Sequence, residues 1–64
     1  MVDIIKCIES CKGDGDVVLR AKVFENGFAI LKRVTGGTLV CCWEIDGEYN
    51  EECHEDPIKI YNFI

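Results

Sequence analysis

"DVVLRAKVFENGFAILKRVTGGTLVCCWEI", residues 16–45, decides the architecture of this 64-residue chain. Val17, Leu19, Ala21 and Val23 alternate with Val18, Arg20 and Lys22, the period of two expected of a half-buried strand. Asn26-Gly27 supplies the positive-φ residues that tight hairpin turns demand, and "FAILKRV" resumes an extended pattern. Gly36-Gly37 marks a second reversal before "TLVCCWEI". The stretch therefore predicts a three-stranded antiparallel meander.

A two-residue turn at Gly36-Gly37 would set Lys32 opposite Cys41, Ile30 opposite Trp43 and Phe28 opposite Ile45. Together with Val17, Leu19, Ala21 and Val23 these residues form an apolar face in which Lys32 is the one intruder, expected near an edge with its ammonium in water. The opposite face is mixed, which implies a sheet that curls on itself or is covered by flanking segments. The flanks "VDIIKCIE" and "PIKIYNFI" are β-branched and read as strands, with Pro57 at the start of the last, where a missing amide donor is tolerated. The expected fold class is thus all-β: one small domain spanning 1–64, about five antiparallel strands, in a partly open barrel of the SH3-like or OB-like kind.

Residues 44–56, "EIDGEYNEECHED", interrupt this pattern. Asp46-Gly47 is a hairpin signal, whereas Asn50 ahead of Glu51 and Glu52 looks like a helix N-cap. The expectation is an irregular excursion with one short helical turn near residues 50–56.

A chain this short buries only about 60% of its unfolded surface, too little for a roomy catalytic cleft. A composition of 48% hydrophobic and 30% charged residues excludes a disordered tail. The longest apolar run, "LVCCW", is far below the roughly 20 residues of a membrane span. "MVDIIKCIES" lacks a basic region followed by an apolar core, so a cytoplasmic location is expected. Five cysteines, an odd number without an export signal, are expected to be free thiols acting as small hydrophobes. The alternative is zinc held by Cys7, Cys11, Cys53 and His54, but no Cys-x-x-Cys knuckle is present, so no metal or cofactor is expected.

His54 is the only histidine, and neither a nucleophile–base–acid arrangement nor a phosphate-binding glycine loop accompanies it. Cys53 beside His54 is a poor thiolate couple, because sequence neighbours seldom reach the needed geometry. "GDGD", Gly13 to Asp16, lacks the further acids of a calcium loop and reads as a turn. The chain is not expected to be an enzyme.

Charge is the stronger signal. Residues 17–34 carry Arg20, Lys22, Lys32 and Arg33 against Glu25, a local 4 − 1 = +3. Residues 44–56 hold seven of the twelve acidic residues and no Lys or Arg, within a chain of net charge −5. Glu44, Asp46, Glu48, Tyr49, Glu51, Glu52, Glu55 and Asp56 form the candidate partner-binding patch, the carboxylates steering a basic protein surface and Tyr49 anchoring it. In general character this resembles the small acidic inhibitors that phages encode, which implies an inhibitor or modulator docked where a larger protein meets nucleic acid. An alternative is a nucleic-acid-binding barrel using Arg20, Lys22, Phe24 and Arg33, which the net charge opposes. A second alternative is a homodimer formed by a C-terminal edge strand through Tyr61, Phe63 and Ile64.

Overall fold

Three strands occupy the stretch read as a meander, β1 (Val17–Phe24), β2 (Gly27–Arg33) and β3 (Leu39–Ile45), each antiparallel to the next. A fourth, β4 (Glu48–Glu52), follows in a computed structural model that describes residues 3–53 and 56–64. The four make one open sheet in the order β1-β2-β3-β4. The chain is mostly β, as expected, but its two ends are helices: α1 (Ile4–Cys11) and α2 (Pro57–Phe63). The five-strand expectation fails at these flanks.

Local chemistry explains both helices. Asp3 caps α1, accepting from the amides of Ile5 at 3.1 Å and Lys6 at 3.3 Å. Ile4, Cys7, Ile8 and Cys11 then recur at the helical period and pack on Phe28, Ile30 and Cys42. Asp56 caps α2 by accepting from the Lys59 amide at 3.0 Å, and Pro57 occupies the first turn, where no amide is needed. Ile60, Tyr61 and Ile64 face Ala29, Leu31 and Cys41. β-branched propensity lost to capping and period at both ends. Among the described residues no helix is long and apolar enough to cross a membrane.

With a helix on each face, β2 is buried along both sides from Gly27 to Lys32. The register also differs from the expectation by one residue. Val34 donates to the Thr38 carbonyl at 2.9 Å, leaving a three-residue loop, Thr35-Gly36-Gly37, whose glycines both have positive φ. Phe28 consequently pairs with Glu44, Ile30 with Cys42 and Lys32 with Val40. Cys41 and Trp43 turn to the α2 side, away from Phe28 and Ile30. On β1 a bulge between Val18 and Arg20 shifts the alternation, so Val18 joins the α1-side core. Val17, Leu19, Ala21 and Val23, expected inside, are exposed.

The β1–β2 reversal turns at Glu25 and Asn26 rather than at Asn26-Gly27 and uses no positive φ, and Gly27 is the first paired residue of β2. Glycine is required there because a Cβ would collide with the Glu44 carbonyl of β3. Asp46 and Gly47, with φ of 52° and 83°, make the two-residue turn into β4, so residues 48–52 form a strand where an irregular excursion was expected. Of the helical turn expected over 50–56, Asn50 to Glu52 are strand, Asp56 is the cap of α2, and residues 54 and 55 lie outside the described ones.

Lys32 is not at a watery edge. It is 4% exposed and lies 3.4 Å from Asp16, which is 8% exposed, while its ammonium also donates to the Cys11 carbonyl at the end of α1. Asp16 further accepts from the amides of Gly13 at 2.8 Å and Thr35 at 3.1 Å. The Gly13 amide, then the Thr35 amide and Lys32, hold its carboxyl below the ordinary value of 3.8, against the opposing effect of burial. A depressed folded pKa contributes stability that is complete above the unfolded value and is lost as pH falls through the folded one. Acid titration of stability below about pH 4 is therefore expected to be steeper in the wild type than in Asp16→Asn. Equal slopes would contradict the assignment.

Gly27→Ala is expected to lower stability by about 2 kcal/mol in denaturant unfolding, because both colliding groups are backbone and neither can swing away. Gly36→Ala meets nothing within 4 Å and is expected to incur only the strain of a positive φ, lowering stability by about 1 kcal/mol. The reverse order would contradict the close approach of β2 and β3.

Candidate functional site: the acidic edge strand

β4 exists because Asp46-Gly47 reverses the chain, and nothing described pairs with its outer side. Its residues therefore divide by face. Glu48, Asn50 and Glu52 pair with Ile45, Trp43 and Cys41 and emerge on the α2 side, whereas Tyr49 and Glu51 pair with Glu44 and Cys42 and emerge on the α1 side. Glu48, Tyr49, Asn50 and Glu51 are exposed and Glu52 is half-buried. The Tyr49 hydroxyl donates to Glu51 at 3.0 Å, and the Cys53 thiol lies 3.8 Å from the other Glu51 oxygen. Partial burial, then that bond to Glu51, raise the Tyr49 pKa, so the ring stays neutral and its hydroxyl remains a donor.

Three members of the expected patch have other places. Glu44 is half-buried on β3 and lines a groove of about 300 Å³ with Tyr49, Phe28 and the α1 residues Lys6, Cys7, Ser10 and Cys11. Asp46 accepts from the Asn26 side chain at 3.0 Å and tightens the turn. Asp56 is occupied as the cap of α2. Glu55 lies outside the described residues. The structure thus brings Glu48, Tyr49, Glu51 and Glu52 onto one strand with Glu44 across from Tyr49, and it commits Asp46 to a turn and Asp56 to a helix cap.

The basic face is less available than its sequence implies. Lys22 donates to the Tyr61 carbonyl at 2.6 Å with its ammonium 4.3 Å from the centre of the Tyr61 ring. Phe24 packs into the α2-side core. Only Arg20 and Arg33 of the four are exposed. At the C-terminus Tyr61 is buried and Ile64 half-buried against the same core, while Phe63 is 92% exposed. The free C-terminal edge strand expected there is a helix.

All five cysteines are free. Burial, followed by the nearby Cys11, pushes Cys42 up to about 12, and burial raises Cys7 and Cys41 as well. These groups are thiols rather than thiolates at neutral pH. Among the described residues no three Cys, His, Asp or Glu groups are placed to hold a metal ion, and His54, the fourth proposed zinc ligand, lies outside them.

Sequence reasoning missed Asp16 as a structural hub, the groove beneath α1, and the second open edge of the sheet at β1. A signal for the hub existed in "GDGD", where an acid follows two glycines into a strand. Comparison with known proteins finds no matching family model, no matching curated protein and no matching solved structure.

Proposed function

We propose that this chain is a small non-enzymatic protein-binding module that lays its acidic β4 edge on a basic surface of a larger protein. The supporting observation is the state of the β4 carboxylates. Among the described residues the only ion pair is Lys32 with Asp16, so Glu48, Glu51 and Glu52 stand along an open edge with no cationic partner. Tyr49, 48% exposed between them, offers an aromatic anchor whose hydroxyl is held by Glu51.

Unneutralised charge steers encounter, and the anchor with the strand's free backbone groups then holds the complex. A basic surface that answers this description is one that otherwise meets nucleic-acid phosphates, so docking would inhibit or modulate that contact. Five free thiols suit a reducing interior, and we place the module in the cytoplasm. The alternative of direct nucleic-acid binding has weaker support, since Lys22 and Phe24 are engaged with α2 and the core.

The test is affinity capture from cytosol with the wild type and with Glu48→Gln/Glu51→Gln/Glu52→Gln, at low and raised salt. The expected result is a protein retained by the wild type, released by salt or by competing nucleic acid, and lost in the variant, whose melting temperature is unchanged or higher. Tyr49→Ala should weaken the same complex by on the order of 30-fold, the equivalent of about 2 kcal/mol. Retention that ignores these four substitutions would overturn the reading.

A further inference from the structure

β1 is the strand whose apolar side chains the fold leaves outside. Val17, Leu19 and Val23 are 49%, 42% and 47% exposed, and the outer backbone of β1 pairs with nothing described. Such an edge is a template for a further strand, and side-chain charge decides which. β1 carries Arg20 and Lys22 and no acid, and β4 carries Glu48, Glu51 and Glu52 and no base. Lys22 is turned onto Tyr61, so among the described residues Arg20 is the free cation of β1; pairing β4 with β4 sets Glu48 against Glu52, whereas pairing β1 with β4 sets Arg20 against an acid.

Direction, face and length agree with that pairing. Strands alternate in direction through the sheet, so β4 runs opposite to β1, and a second copy in the same orientation presents its β1 antiparallel to β4. The bulge at Leu19 leaves Arg20 to Phe24 as the regular part of β1, five residues against the five of β4. Full overlap sets Arg20 opposite Glu52 on the α2 side and Val23 opposite Tyr49 on the α1 side. In a two-residue hairpin the closing pair exchanges its hydrogen bonds, and alternation then points the backbone groups of Ala21 and Val23 outward on β1, and of Tyr49 and Glu51 outward on β4. In the overlapped ladder these outward residues face one another.

We propose that copies of this chain associate head to tail, the β4 edge of one pairing antiparallel with the β1 edge of the next. The interface joins two different surfaces, so it continues from copy to copy unless the geometry closes a ring. Five residues make a short ladder, and the association is weak, concentration-dependent and sensitive to salt. The inference goes beyond the proposed function and shares β4 with it, so a second copy competes with the larger partner for the acidic edge.

Sedimentation of the full chain from micromolar to millimolar concentration tests this. At low salt the wild type should exceed two chains in average mass, and at about 1 M salt, where the screening length falls to about 3 Å, it should return to one. Arg20→Glu blocks β1 and Tyr49→Ser/Glu52→Gln blocks β4, and each alone should remain a monomer. Their mixture should give a dimer and nothing larger, since one chain keeps a working β4 and the other a working β1. A wild type that stays monomeric, or a wild-type dimer that the mixture does not restore, overturns the proposal. Val23→Glu is a second β1 block should Arg20→Glu fail to fold. Both β1 variants leave β4 intact, so retention of a larger partner is read separately from self-association.

Discussion

Each helix of this chain is fastened at its C-terminal end by a lysine that rises from the sheet. Lys32 of β2 donates to the Cys11 carbonyl of α1, and Lys22 of β1 donates to the Tyr61 carbonyl of α2. The last carbonyls of a helix lack intrahelical donors and carry the negative end of its dipole, so an ammonium answers both needs. On opposite faces of one sheet, the two contacts fix where α1 and α2 lie. Asp16 completes the first by neutralising Lys32 and gathering the Gly13 and Thr35 amides, which joins the end of α1 to the turn between β2 and β3.

This arrangement decides which charges remain for outside contacts. Two of the four cations in residues 17–34 are spent on the helices, leaving Arg20 and Arg33 exposed. The acids of β4 meet no such demand. Covering the faces with helices also leaves both edges of the sheet unpaired among the described residues, β1 apolar with a basic flank and β4 acidic. The chain's charge asymmetry, visible as blocks of sequence, becomes an asymmetry between the two edges of the sheet.

The meander was legible because residues 16–45 carry period-two alternation and permissive turn residues, signals that act locally. The helices were hidden by Ile4, Ile5, Ile58 and Ile60, whose β-branching argues for strands; the capping aspartates Asp3 and Asp56 and the spacing of Ile4, Cys7, Ile8 and Cys11 were the competing evidence. The one-residue slip between β2 and β3 followed from counting the glycines alone as the loop, when Thr35 belongs to it. β4 was obscured by glutamates, which sheets disfavour except at an exposed edge. The acidic patch itself was readable as composition, but which acids stand together was not. Asp46 and Asp56 serve a turn and a cap, and only the register reveals that Glu48 and Glu52 face one way and Glu51 the other.

Among the described residues the sheet is open, covered on its faces and bare at two differently charged edges. Residue-resolved amide hydrogen exchange of a dilute, high-salt solution tests it most directly. Amides inside β2 and β3 should exchange only through global unfolding, while those of Ala21, Val23, Tyr49 and Glu51 should exchange orders of magnitude faster although they lie within strands. Protection of these four amides equal to that of β2 and β3 would contradict the account, because it would require the edges to be covered within a single chain.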